Sequence, residues 1–168
     1  NPHIIIESNS FKIENEFIDS LKSKYQEINI SKTYSGEGIV VSNDNAKGII
    51  IKGVDVTNKE SLSFLEKNII KGDLDKFKKN TAFIGVELAF NLDLEVGDKI
   101  NLMSSTFITT PFGGLPKQET LIVTGIFNTG FYEFDQNFVF LNLSDVLSIF
   151  NKEEQDQNLE IYLTNPMK

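Results

Sequence analysis

The sequence predicts an α+β fold with mixed sheets. Strand-like runs occur near the start, through the middle and at the end of the chain, while the helical stripes between them are few and short. Such an order, without any visible internal repeat, is typical of α+β proteins. With 168 residues, of which 40% are hydrophobic, the chain is long and apolar enough to bury a core, so global disorder is excluded.

The first third of the chain predicts a βα unit followed by a hairpin. Residues 4–7 form a β-branched run that is typical of a strand. Residues 14–25 place apolar side chains at helical spacing. Two further strands are predicted at 36–42 and 47–54, joined by a tight turn over 43–45, because Asn and Asp side chains bond the local backbone.

The remainder predicts short helices alternating with strands. A capping-box pattern starts a helix at Thr57, and Ser144 is the predicted N-cap of a helix over 145–150. The polar run 152–158 predicts a linker. The other predicted elements are a helix over 86–92 and strands over 81–84, 99–103, 121–127, 137–141 and 159–164.

Charge argues against a nucleic-acid partner. Sixteen basic residues, all of them lysine, face 24 acidic residues, which gives a net charge of −8. Without arginine the chain has no planar fork for bidentate phosphate or base recognition. A negative surface also repels a polyanion. The sequence therefore predicts no nucleic-acid binding.

No pattern for catalysis, a metal or a cofactor is present. The chain has no cysteine, which removes thiol nucleophiles and thiolate metal sites. Its single histidine, His3, has no visible partner, and the acidic run 93–98 does not follow EF-hand spacing. The Gly113-Gly114 pair lacks the Lys-Ser/Thr of a phosphate loop. We therefore predict no catalytic residue, no metal, no cofactor and no enzymatic activity.

The segment 104–117 is the most informative part of the sequence. It joins two predicted strands over more residues than an ordinary hairpin loop has. Its large apolar residues, Phe107, Ile108, Phe112 and Leu115, are many for a connection that should face water. Exposed apolar groups of this kind usually mark a partner surface. A surface loop that merely connects strands is the alternative.

Several stretches occur together in an order that resembles a known family. They are residues 81–89, 94–100, 110–116 and 123–127, with 138–146 as a further sign. This set resembles the periplasmic domain of lipoprotein-releasing ABC transporter permeases of the LolC/LolE type in Gram-negative bacteria. That domain is in turn similar to the MacB-like periplasmic core domain. The resemblance covers almost the whole chain.

The resemblance implies two subdomains, a βαβ-type porter and a strand-rich sabre inserted into it. We expect porter segments at 1–55 and 151–168, and the sabre at 56–150 with hairpin 104–117 protruding from it. The strand predicted over 159–164 should then pair with the N-terminal segment. Family members continue past the position of Lys168 with another helix and strand, so the resemblance implies a truncated second porter segment.

The resemblance also implies a function and its partners. In the family, ATP hydrolysis on cytoplasmic subunits drives release of lipoproteins from the inner membrane, and two permease subunits act together. A hairpin of the LolC-type permease recruits the soluble periplasmic chaperone LolA. That hairpin tip corresponds here to Thr110, Pro111, Phe112, Gly113, Gly114, Leu115 and Pro116. The polar patch at the base of that hairpin corresponds to Asn101, Gln118 and Glu119.

We therefore expect a non-catalytic periplasmic domain of an inner-membrane permease, closer to the LolC than to the LolE type. Two alternatives remain open at the level of the sequence. One is the periplasmic core domain of a different MacB-like exporter, and the other is a stand-alone protein-binding module. A transmembrane helix directly before the domain and three after it would distinguish a permease from a free module.

Overall fold

The computed structural model describes residues 2–8 and 12–164. The strands are β1 (Ile4–Ile6), β2 (Ile28–Thr33), β3 (Ser35–Ser42), β4 (Asn45–Val54), β5 (Ile69–Gly72), β6 (Thr81–Gly85), β7 (Lys99–Thr110), β8 (Gly113–Phe127), β9 (Phe138–Asn142) and β10 (Asn158–Leu163). The α-helices are α1 (Asn15–Lys24), α2 (Lys59–Asn68), α3 (Val86–Asn91), α4 (Tyr132–Asn137) and α5 (Leu143–Ile149). Within these described residues, no helix is both long enough and apolar enough to cross a membrane.

The two ends of the chain build a small three-stranded sheet. Its order is β1-β10-β2, and β10 is antiparallel to both neighbours. Strands β1 and β2 are therefore parallel to each other, with α1 as the crossover between them. A separate apolar cluster, which includes Ile18, Ile30 and Leu159, packs beneath α1. The last strand thus pairs with the N-terminal segment, as expected for the strand predicted over 159–164.

The inserted segment forms a larger sheet that closes on itself. Its order is β5-β8-β6-β9-β4-β3-β7, and β7 also pairs with β8. Six strands therefore form a closed barrel, and β5 adds to the far end of β8. Closure is possible because β8 is long enough to pair with β7 along its first part and with β6 along its last part.

The alternation of side chains along the barrel strands separates two apolar clusters. Val139 and Leu141 of β9 point into the barrel, where they join side chains such as Ile51 and Leu102. Phe140, between them, points outward to a second cluster that lies under α2. This outer cluster is rich in phenylalanine, and the pairs Phe77–Phe83 and Phe127–Phe140 pack edge to face, whereas Phe134 and Phe138 are stacked.

The sequence-based expectation omits β2, β5 and α4, and it assigns β3 and β4 to the wrong sheet. Strand β2 was not predicted, although it is the edge of the small sheet next to β10. Strands β3 and β4, placed by the prediction in the porter segment 1–55, pair with β7 and β9 of the barrel. The boundary between the two sheets therefore lies at Tyr34. A strand pattern predicts the strand but carries no information on which sheet it joins, because that depends on long-range pairing.

Candidate functional site

The upper half of the β7–β8 hairpin extends beyond the barrel. Strand β3 pairs with β7 along residues 101–104, and β6 meets β8 from Ile122 onward. Between these points and the turn, β7 and β8 pair with each other up to Thr110 and Gly113. The segment predicted as a long connection is thus a β-hairpin with a two-residue turn and an irregular register near its base.

The turn at the tip is held by the hydroxyl of Thr110. This group donates a hydrogen bond to the Gly113 carbonyl at 2.7 Å and accepts one from the Phe112 N–H at 3.3 Å. Pro111 fixes its own φ and lacks an N–H that would need a partner. Gly113 has a φ of +113°, a conformation that side-chain-bearing residues rarely adopt. The tip is therefore ordered before any partner arrives.

We predict that Thr110→Val loosens this turn while Thr110→Ser leaves it intact. Valine keeps the shape of threonine but removes both hydrogen bonds, which contribute about 0.5–1.5 kcal/mol each. Amide hydrogen exchange of Phe112 and Gly113 should become roughly three- to tenfold faster in the valine variant. Unchanged exchange in Thr110→Val would show that the hydroxyl does not order the tip.

The hairpin exposes apolar side chains on both faces and at the tip. Phe112 is 98% exposed, and Phe107, Ile108 and Leu115 are exposed as well. Ile108 lies opposite Leu115 on one face, whereas Phe107 lies opposite Pro116 on the other. No charged residue occurs between Lys99 and Lys117. Residues 100–116 of the hairpin therefore present an uncharged, largely apolar surface, which is typical of a protein-binding element.

The structure does not bring the three predicted base residues together on one face. Asn101 lies opposite Thr120, accepts its hydroxyl hydrogen bond at 2.6 Å, and shares the outer face with Gln118. Glu119 lies opposite Leu102, which is fully buried, so its side chain points to the inner face. Only Asn101 and Gln118 are available to a molecule that approaches from the outer side.

A bulge and one lysine fix the direction of the hairpin. The register between β7 and β8 shifts between Met103 and Phe107, so that residues 104–106 face Lys117 alone. The Lys117 ammonium donates to the Ser148 carbonyl at 2.6 Å, at the end of α5. A cation is favourable at a helix C-terminus. No local sequence pattern predicts this contact, because bulges and the packing of helices against strands depend on long-range geometry.

A buried carboxyl group lies beneath the base of the hairpin. Asp145 of α5 accepts a hydrogen bond from the Asn80 N–H at 2.7 Å. Burial raises its pKa above the ordinary value of 3.8, the Asn80 hydrogen bond and Lys79 lower it, and Glu119 raises it. The net direction is upward, because desolvation of the charged form is the largest effect.

The raised pKa makes Asp145 a source of pH dependence. The carboxyl stabilises the fold most below the unfolded value of about 3.8, and this contribution is lost as the pH rises through the higher folded pKa. We predict that in Asp145→Asn the free energy of unfolding falls less steeply as the pH rises above about 3.8. At pH 7 the variant should be at least as stable as the wild type. Denaturant unfolding at several pH values measures this, with the exposed Asp75→Asn as control. An unchanged pH slope would contradict it.

A cleft of about 320 Å³ between the two sheets and α2 is the main alternative site. Phe64 and Phe140 line it on one side. On the other, the Lys52 ammonium lies 2.7 Å from Glu160, and the Tyr162 hydroxyl donates to the same carboxylate at 2.9 Å. Burial and then Glu160 raise the pKa of Tyr162, so it stays protonated. These charges satisfy one another, which favours a structural link between the sheets over a ligand site.

Two further candidate residues, His3 and Asp98, form hydrogen bonds that stabilise the fold. His3 accepts a hydrogen bond from the Leu163 N–H at 3.0 Å, next to the β1–β10 pairing. Asp98 accepts one from the Glu95 N–H at 2.8 Å and closes the turn before β7. Among the described residues, no group of three or more His, Asp or Glu side chains could hold a metal ion.

In sequence, the chain is similar to LolC, the transmembrane protein of the lipoprotein-releasing system. It is 26% identical to LolC of Xylella fastidiosa over 106 residues, which are 62% of this chain and 26% of that protein. It is 27% identical to LolC of Neisseria meningitidis serogroup B over 100 residues, which are 60% of this chain and 23% of that protein. The matched region is thus about a quarter of these curated relatives. No protein-family model matches.

In fold, the chain is similar to solved domains of ABC-type transporters. The extracellular domain of YknZ from Gram-positive bacteria superposes with a TM-score of 0.64, at 12% identity, over 97% of this chain and 85% of that one. The periplasmic region of MacB from Actinobacillus actinomycetemcomitans superposes with a TM-score of 0.60, at 12% identity, over 98% of this chain and 75% of that one.

These likenesses confirm the predicted resemblance and the predicted α+β, MacB-like fold. The predicted location, a periplasmic domain of an inner-membrane protein, agrees with both comparisons.

Proposed function

We propose that this chain is the periplasmic domain of a LolC-type permease and that it recruits the lipoprotein chaperone LolA through the β7–β8 hairpin. The observation that carries the proposal is the protruding, uncharged hairpin with Phe112 almost fully exposed at its tip. An exposed aromatic ring on an ordered turn offers a large contact area at a small entropic cost. The sequence similarity to LolC supports the choice of partner.

The proposal assigns the domain a coupling role without catalysis of its own. ATP hydrolysis takes place on separate cytoplasmic subunits, and a second permease subunit and the lipoprotein substrate complete the complex. The small sheet is the porter and the closed barrel is the sabre that carries the hairpin. This division agrees with the polar link between the sheets at Lys52 and Glu160, because polar interfaces between domains permit relative motion.

The contact surface on this domain consists of the tip and part of the base. We assign the tip residues Thr110 to Pro116, together with Asn101 and Gln118 on the outer face of the barrel. Glu119 is left out, because its side chain lies on the inner face, opposite the buried Leu102.

A titration tests the proposal directly. The purified chain is titrated with the LolA-type chaperone of the same genome in a calorimeter, at low and at high salt. We expect saturable one-to-one binding of micromolar strength, typical of a small transient interface. Because the hairpin is uncharged, its affinity should change less than about twofold with salt. Absence of binding, or binding that high salt abolishes, would contradict the proposal.

The core domain of a different MacB-like exporter is the second candidate. The observation that favours it is the fold likeness to MacB and YknZ, which covers nearly the whole chain. A permease gene that lies beside a periplasmic adaptor gene, in a genome without a LolA-type chaperone, would favour this candidate. A stand-alone binding module would instead require a gene without transmembrane segments.

A further inference from the structure

The protruding hairpin has two outer edges that no described strand covers. Pairing of β3 with β7 ends at Ser104, where the bulge begins. Pairing of β6 with β8 begins only at Ile122. Within the described residues, the backbone of β7 over 107–109 and of β8 over 114–116 therefore has a strand on one side only.

The turn determines which backbone groups face outward. Thr110 and Gly113 flank the two-residue turn, so they form a hydrogen-bonded pair. Hydrogen-bonded and non-hydrogen-bonded pairs alternate in an antiparallel ladder. The Thr109–Gly114 and Phe107–Pro116 pairs are therefore non-hydrogen-bonded, and their N–H and C=O groups point away from the hairpin.

The two edges are not equivalent. On the β8 edge one outward position is Pro116, which has no N–H to donate. On the β7 edge, Phe107 and Thr109 each present an outward N–H and an outward C=O. A strand can thus add to β7 with a full set of hydrogen bonds, whereas β8 is closed to it by the proline.

The β7 edge also lacks the usual protection against pairing. Exposed edges in soluble proteins normally carry charges, above all lysine, that prevent another strand from adding. No charge lies between Lys99 and Lys117, and Phe107 and Ile108 place apolar side chains on opposite faces of this edge. An open, uncharged edge on a protruding hairpin is complementary to an extended strand with apolar side chains at alternate positions.

We propose that the partner adds a short β-strand to the β7 edge at Phe107–Thr109, next to the contact made by Phe112. The occupant is an extended segment of the chaperone, so this inference rests on the proposed function. The partner's backbone forms hydrogen bonds with Phe107 and Thr109, and its alternate side chains contact Phe107 on one face and Ile108 on the other. Register and orientation of the hairpin in the complex follow from this pairing.

Thr109→Pro is the variant that tests strand addition. It removes one outward N–H from the β7 edge and places a ring in the path of an added strand, while the hairpin ladder keeps its bonds. Phe90→Ala is the control, because Phe90 is exposed on α3, outside the hairpin. In the chaperone titration, we expect Thr109→Pro to weaken binding at least tenfold and Phe90→Ala less than twofold.

Amide hydrogen exchange in the wild-type complex keeps the test independent of how well the variants fold. The Phe107 and Thr109 amides should exchange at least tenfold more slowly once the chaperone is bound, and the Phe90 amide in α3 should exchange at an unchanged rate. If those two amides are not protected, strand addition is wrong, whatever the variants do.

The outcomes separate this inference from the proposed function. Binding that Phe112→Ala weakens but Thr109→Pro does not would overturn strand addition and leave chaperone recruitment standing. Absence of wild-type binding would overturn both. A free chain that dimerises through this edge in light scattering, and thereby excludes the chaperone, would assign the edge to a second copy and also overturn the inference.

Discussion

Phe112→Ala is expected to weaken binding of the LolA-type chaperone about thirty-fold and to leave the fold unchanged. A central aromatic anchor contributes about 2 kcal/mol or more to an interface, which corresponds to this factor. The ring is 98% exposed, so its removal creates no cavity, and the free energy of unfolding should change by less than about 0.5 kcal/mol. Calorimetric titration measures the affinity, and denaturant unfolding measures the stability.

Phe90→Ala is the matched control. Phe90 is 83% exposed and lies in α3, outside the hairpin, so its loss should change neither affinity nor stability. A fall in stability of about 3–5 kcal/mol in Phe112→Ala with unchanged affinity would mean that the ring supports the structure. Equal losses of affinity in both variants would mean that no specific anchor exists.

Glu160→Ala is expected to have the opposite effect, a large loss of stability with unchanged chaperone affinity. The Glu160 side chain is 9% exposed and accepts hydrogen bonds from Lys52 and Tyr162. Its removal leaves a partly buried ammonium and a half-buried hydroxyl without their acceptor. Because the Lys52 side chain is 28% exposed and can reach water, we expect a loss of about 3 kcal/mol, roughly 6–12 °C in Tm.

Lys12→Ala is the control for this second prediction. Lys12 and Glu153 form an exposed ion pair at 3.6 Å, with side chains 58% and 72% exposed. Exposed pairs contribute at most about 1 kcal/mol, so this variant should unfold close to the wild type. If Glu160→Ala unfolded like Lys12→Ala, the link between the two sheets would not depend on the Lys52–Glu160 pair.

The local elements of the fold could be predicted from the sequence because their patterns are local. Strand alternation and helical spacing gave β3, β4, β6 and α3 within a few residues. The turn between β3 and β4 was predicted from its Asn and Asp residues, and Asn43 and Asp44 indeed have positive φ.

The helix caps show where local reasoning fails. The predicted capping residues were Thr57 and Ser144, but the side chains that accept the N-terminal N–H groups belong to Asn58 and Asn142. Thr57 instead donates its hydroxyl to Asp55 at 2.6 Å. Neighbouring residues with equal capping ability compete, and tertiary contacts decide between them.

Most long-range pairings could not be predicted from the sequence, and the pairing of β10 with the N-terminal segment, which the family resemblance implies, is the exception. Strand β2 has the mixed pattern Ile-Asn-Ile-Ser-Lys-Thr, whose polar members Ser31 and Thr33 are buried by contacts with α2 and β4. The closure of the barrel through β7–β8 depends on strand lengths and on the bulge. The exposed tip of the candidate site followed from composition, whereas the split of its base between two faces required the register.

Site-specific photo-crosslinking in cells tests whether the hairpin tip contacts the chaperone. Phe112 of the full-length parent protein is replaced by the photoreactive p-benzoylphenylalanine, Phe90 is replaced likewise as control, and adducts formed on irradiation are identified by mass spectrometry. We expect an adduct with the LolA-type chaperone from position 112 and none from position 90. Absence of the chaperone from the position 112 adducts, or equal yields from both positions, would contradict the claim that the hairpin tip recruits it.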